Sequence, residues 1–211
     1  NKDRPWRLEL EEAWLEWRGA APGLATRVGR QDFEDRRAWL YDQELDGLRL
    51  FQRTGAWELE LAAVRERAFR MEYLDERKLR EFDLLQAMLH YTPRDKLQQA
   101  GYVMRQIGGN GNSADPVWLG LRSYGSLSGS LRHWLELALL RGEDDGQSLR
   151  GSAIDVGLTW LLDADYSPHL TLAFAQGSGD GDPADGTDHS FRQTGMQDND
   201  DRLGGVTAFR Y

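Results

Sequence analysis

The residues of this chain best suited to chemistry are arginines and carboxylates that recur at every second position of extended-looking segments. Arg49, Arg53, Arg122, Arg132 and Arg210 fall on the polar parity of their segments, and Glu58, Glu60, Glu136 and Asp155 fall on the polar parity of theirs. A guanidinium stays charged at any physiological pH, and its planar fork pairs bidentately with a carboxylate. Such charges, interleaved with small residues, suit the lining of a water-filled pore. The same residues also suit a solvated, cross-paired wall of structural ion pairs. The elements that carry them decide between the two.

Other chemistry is sparse. The absence of Cys excludes disulfide scaffolds, thiolate zinc sites and Cys nucleophiles. His90 and His169 share the polar parity but lie in separate segments, with no carboxylate or histidine at ligand spacing, so no metal site is expected. Ser123, Ser126, Ser128 and Ser130 surround Gly125 and Gly129, which reads as turn chemistry and not as a nucleophile elbow. Asp180, Asp182, Asp185 and Asp188 are spread among glycines with no EF-hand spacing, and are expected to form a loop without a calcium site. Neither a cofactor nor catalysis is expected. The formal net charge of −9 disfavours a nucleic-acid partner. Acidic loops such as Gly142-Glu143-Asp144-Asp145 supply much of that charge, so it says little about any pore.

Local propensity and hydrophobic periodicity conflict along the first half of the chain. Leu8 to Trp17 and Trp57 to Tyr91 are rich in Glu, Leu, Ala and Arg, which favour helix. In Trp57-Glu58-Leu59-Glu60-Leu61, however, the large apolar residues alternate, which a helix would scatter and a strand gathers on one face. Helix competes best over Glu66 to Leu79. The alternation returns in Leu85 to Tyr91, Val117 to Leu121, Leu135 to Leu139, Ile154 to Trp160 and Leu170 to Phe174. It predicts eleven strands, at 5–18, 25–33, 46–53, 56–66, 80–91, 98–107, 116–124, 129–141, 149–161, 169–177 and 202–211.

Alternating strands arise in soluble sandwiches, whose apolar face is the core, and in outer-membrane barrels, whose apolar face meets lipid. Three features favour the barrel. Short connections (19–23, 54–55, 92–95, 125–128, 162–168) alternate with long ones (34–45, 67–79, 108–115, 142–148, 178–201), the up-and-down pattern. Trp17, Trp57, Tyr91 and Trp160 each lie beside a short turn and on the apolar parity, as a lipid-headgroup rim requires. The opposite parity mixes charges with Gly120, Ala173 and Ala175, which suits a wide, water-filled interior. The mean hydropathy of −0.66, with no stretch of 18 uncharged apolar residues, excludes membrane helices but not such a barrel, despite 8 Trp.

Local strings then carry a resemblance. Val28-Gly29-Arg30-Gln31, Gly47-Leu48-Arg49-Leu50, Gly177-Ser178-Gly179-Asp180 and Phe191-Arg192-Gln193-Thr194-Gly195 with Gln197-Asp198-Asn199 are similar to stretches of the alginate-export porin family. The resemblance spans about residues 8–210. It implies an 18-stranded outer-membrane barrel that passes an anionic exopolysaccharide outward through an arginine-rich pore, with Arg30 joining the luminal arginines. Residues 1–211 would then form one barrel domain, a middle part lacking strands at both ends. Expected partners are a polyuronate, the lipid bilayer and periplasmic export components. Three other readings compete. One is a general outer-membrane porin for small anions. Another is a soluble β-sandwich binding carbohydrate through Trp118 and Trp134. The last is a mainly helical interaction protein.

Overall fold

The computed structural model describes residues 10–19, 21–35, 37, 39–65, 82–108 and 114–196, and among these there is no helix. The strands are β1 (Ala13–Arg18), β2 (Leu24–Glu34), β3 (Asp42–Thr54), β4 (Trp57–Arg65), β5 (Phe82–Arg94), β6 (Leu97–Gly108), β7 (Asp115–Ser126), β8 (Leu131–Asp144), β9 (Gln147–Leu149), β10 (Ser152–Leu161), β11 (His169–Gly177) and β12 (Thr187–Asp188). Periodicity therefore overrules helix propensity wherever the chain is described. The competing 66–79 stretch, the strand expected at 202–211 and the start of the one at 5–18 lie outside the described residues.

Ten strands form one antiparallel meander in the order β1-β2-β3-β4-β5-β6-β7-β8-β10-β11, and the sheet is not closed. Every pair along this path is sequential except β8–β10, where the three-residue β9 pairs with the far end of β8 ahead of β10; the meander is the up-and-down arrangement. Strand ends move by a few residues, β12 lies within the expected 178–201 connection and pairs in parallel with β9, and two further differences change the connectivity. The expected long connection at 142–148 is a two-residue hairpin at Asp145-Gly146, both with positive φ (48° and 84°), because β8 runs on to Asp144. That pair of left-handed residues matches the twist of the flanking strands. The expected strand at 149–161 breaks between β9 and β10. There the Cα of Phe191 lies only 2.7 Å from where a Cβ of Gly151 would stand, so the later chain crosses too closely for any side chain.

The two faces separate as the alternation requires. Leu121, Leu172 and Phe174 are exposed (61%, 68% and 55%), as are Leu48, Leu85, Leu137 and Leu158. Trp17, Trp57 and Trp160 are exposed at the short-turn end of the same face, where Trp57 stacks on its register partner Tyr91 with centroids 4.3 Å apart. Beyond the Leu band, at the opposite end, this face turns ionic: Arg65 pairs with Asp83 at 2.7 Å, and Arg105 with Asp115. The other face buries Glu60, Gln86, Arg122, Glu136 and Asp155 beside Met88, Tyr102, Met104, Trp118 and Leu140.

The polar face is the concave one. Asp35, directly after β2, bonds Arg122 of β7, five strands away along the sheet. Across a flat sheet that is about 24 Å at ~4.8 Å per strand, far beyond two side chains. Only a sheet curled around its polar face closes the gap. The register shows the matching stagger. Arg53, Arg122 and Asp155 lie on one cross-strand row, yet they stand one, four and six residues from the turn ends of β3, β7 and β10. Strands that tilt in a barrel climb in this way.

Candidate functional site

The concave face is built around one row of register partners: Arg53, Glu58, His90, Ala100, Arg122, Glu136, Asp155 and Ala175, running from β3 to β11. Five of the candidate site residues (Arg53, Glu58, Arg122, Glu136 and Asp155) therefore share one row with His90 and Ala175, and pairing register assembles them, since they are dispersed over a hundred positions. Arg53 pairs with Glu58. Arg49, two same-face rows away along β3, donates to Glu60 at 2.7 and 3.0 Å and lies over the Phe33 ring at 4.2 Å. His90 stands 3.8 Å from Glu60, so register supplies the carboxylate that spacing along the chain did not. Arg132, on the same face at the turn end, is exposed and forms no ion pair among the described residues.

Arg30 departs from expectation. It registers with Asp46, and shares the convex parity of Val28 and Leu48 instead of the concave parity of Arg49. Its ion pairs are with Asp46 (3.6 Å) and Glu44 (3.9 Å). The single-residue step from Gly29 or Gln31 puts it on the other face, which is how a β-strand treats any odd displacement. Gln31 takes the inward place and donates to the carbonyls of Gly29 and Gly47. Arg210 lies outside the described residues.

The middle of the concave face is not an open channel, as a wide, water-filled interior would require. The β2–β3 connection folds onto it and brings two charges that sequence reading missed. Arg122 donates to both oxygens of Asp35, at 3.0 and 2.9 Å, while its Nε and second terminal nitrogen reach Glu136 at 3.2 and 3.0 Å. Arg37 donates to Asp155 at 2.8 Å and stacks on Trp134, whose Nε1 donates to the other oxygen of Asp155 at 2.8 Å. Three carboxylates thus share two guanidiniums out of water. Burial alone would raise the Asp35 carboxyl. The charge and hydrogen bonds of Arg122, with the N–H groups of Leu40 and Arg37, outweigh it and hold the carboxyl below its ordinary range.

The reason this segment folds inward is apolar. Trp39, Leu40 and Tyr41 are buried against Met88, Tyr102, Met104, Trp118 and Leu140 of the concave face. The chain after β12 completes the packing. Phe191 stacks on Trp39, Gln193 donates to the Trp39 carbonyl at 3.0 Å, and Trp118 donates to the Arg192 carbonyl at 2.9 Å. Two signals in the sequence point to this: an apolar triplet inside a loop, and large apolar residues on a parity otherwise polar. Trp118 is buried and Trp134 is covered by Arg37, so neither ring offers a free face to a sugar.

The aspartates of the 178–190 stretch do structural work. Asp180, Asp182, Asp185 and Asp188 each accept the backbone N–H two residues on, at 2.7–3.4 Å, a run of Asx turns. Ser123 Oγ and His133 Nε2 lie 2.8 Å apart on the convex side near the turns, with His133 Nδ1 at the Gly125 carbonyl. They satisfy each other at the aromatic rim.

Comparison with known proteins gives a family match described as alginate export, over residues 3–206. No curated protein matches the chain.

Proposed function

The chain belongs to the alginate export family, and from that premise we propose that it carries an anionic, alginate-like polysaccharide outward across the bacterial outer membrane along its concave, arginine-bearing face. One observation carries the reading. The apolar residues are exposed on the convex side and the charged row lies inside the curl. That is the inverse of a soluble domain and the arrangement of a lipid-embedded barrel wall.

The convex Leu band spans the hydrocarbon, the Trp17, Trp57, Tyr91 and Trp160 rim sits at the periplasmic headgroups, and the opposite end of the wall faces outward. A polyuronate enters at the turn end, where Arg53 and Arg132 are exposed. Each carboxylate exchanges one guanidinium for the next. Glu58 and Glu60 beside Arg53 and Arg49 limit how tightly any one contact holds. Arg30 takes no part in this path. Periplasmic export components deliver the polymer to the turn end.

Planar-bilayer conductance of the full-length protein, with and without added polyuronate, tests the reading. Current blocked or gated by polyuronate, and an effect weakened at least tenfold in Arg53→Glu/Arg132→Glu, is expected. A conductance indifferent to polyuronate but altered by small anions would replace it with a general anion porin.

A further inference from the structure

Arg122 offers two edges to carboxylates, and their occupants differ in kind. One edge is filled by Glu136, its register partner in the next strand, and so belongs to the wall permanently. The other edge, the end-on fork with both terminal nitrogens, is filled by Asp35, which is not part of the sheet. We propose that this fork is a carboxylate-binding site of the transport path and that Asp35 is its built-in occupant, a stand-in for a uronate carboxylate, so that the incoming polymer releases the inward segment by taking its arginine. The proposal rests on the export reading above and adds how the closed path opens.

Three features of the geometry support displacement over permanent anchoring. First, the fork is preformed without Asp35: Glu136 fixes the Nε edge and the Tyr102 ring lies 5.5 Å from the guanidinium. Any carboxylate arriving there meets two aligned donors. Second, exchanging one carboxylate for another conserves charge and hydrogen bonds at Arg122, so the arginine is never left buried and unpaired, the outcome that makes breaking such pairs expensive.

Third, Asp35 carries its own compensation. Its carboxylate also accepts the backbone N–H groups of Arg37, Trp39 and Leu40, at 3.2, 3.0 and 2.9 Å. Those donors belong to the same segment and leave with it, so the departing carboxylate remains hydrogen-bonded. Release also separates Arg37 from Asp155, which keeps the Trp134 N–H, a donor of the wall itself. A tethered occupant competes at an effective concentration of order millimolar. A polymer with many linked carboxylates overcomes that, and a free monouronate does not.

The test uses the full-length protein in planar bilayers, with Asp35→Asn as the main variant. Asparagine keeps one acceptor oxygen, enough for the Trp39 and Leu40 N–H groups, and removes the charge together with the second oxygen, which accepts from Arg122 and from the Arg37 N–H. Expected are a several-fold rise in basal potassium chloride conductance and a fall of at least tenfold in the polyuronate concentration giving half-maximal effect. Monouronate at equal carboxylate concentration should do neither to the parent. In Arg122→Gln the polyuronate dependence should weaken and no longer respond to Asp35→Asn.

Independently of any variant, polyuronate should make the unaltered protein cleavable by trypsin after Arg37, which is otherwise covered. Conductance that rises in Asp35→Asn with an unchanged polyuronate dependence overturns the proposal and leaves the export reading intact, since Asp35 would then be an anchor alone. No change in either quantity, or no polyuronate-dependent cleavage, overturns it too. A parent channel that ignores polyuronate altogether removes the export reading and the proposal with it.

Discussion

Arg53 and Arg122 occupy the same cross-strand row, each beside a glutamate in register, yet they live in different solvents. The Arg53 side chain is 70% exposed at the turn end of the wall, and that of Arg122 is 6% exposed beneath the inward segment. At the turn end an ion pair sits in water, where Coulomb attraction is weak and side-chain entropy opposes it. At the middle the same pair has been taken out of water and must be fully hydrogen-bonded to exist at all. The residue types are identical; what covers them decides whether an arginine meets water directly or lies occupied beneath the inward segment.

That contrast is breakable by mutation, and the largest effect should come from the buried member. Arg122→Ala leaves Asp35 and Glu136 facing each other unpaired, and should cost roughly 3–5 kcal/mol, read as a lower midpoint of heat- or denaturant-induced unfolding in detergent. Leu121→Arg probes the other side of the same strand. A charge placed in the convex band should cost roughly 2–4 kcal/mol in a bilayer and little in a soluble sheet, so equal stability in both would break the assignment of faces. Gly157→Ala should cost about 1–3 kcal/mol by overpacking, because its Cβ would stand 2.0 Å from a Trp134 ring atom. A shifted Trp134 fluorescence together with the lower midpoint would confirm the cause. Arg53→Ala should change stability by under about 1 kcal/mol, while weakening the polyuronate effect on current. A large stability loss there would erase the distinction between the two ends.

Acid sharpens the comparison without mutation. The Asp35 carboxyl is held below its unfolded value by Arg122 and the segment N–H groups, against the opposing effect of burial. A depressed carboxyl contributes stability above its unfolded pKa and loses it as pH falls through the folded one. The inward segment should therefore stay put from neutral pH down to the ordinary carboxylate range and loosen only below it. Basal conductance followed from pH 7 to 3 should rise late, and in Asp35→Asn that late rise should vanish.

Much of this was readable in advance. A period of two is a local property, so Leu135, Leu137 and Leu139 announced their shared face, and Trp57 and Tyr91 their shared rim, from spacing alone. The short turns were equally legible. Arg30 was misplaced because family likeness names a residue and not a face, and one step along a strand reverses the face. The inward segment was missed for a different reason. Asp35 and Arg122 are 87 positions apart, and no spacing rule relates a loop to the strand it will cover.

The sequence by itself determined the strands, their two faces, the aromatic rim and the alternating arginines and acids, because pleating and turn formation depend on near neighbours. Only the tertiary structure decided which arginines are free, that the polar face is concave and that a loop carboxylate fills the fork of Arg122. Those depend on curvature and register accumulated over many strands. Burial, which sets the strength and availability of every charge here, exists only once the sheet has curled.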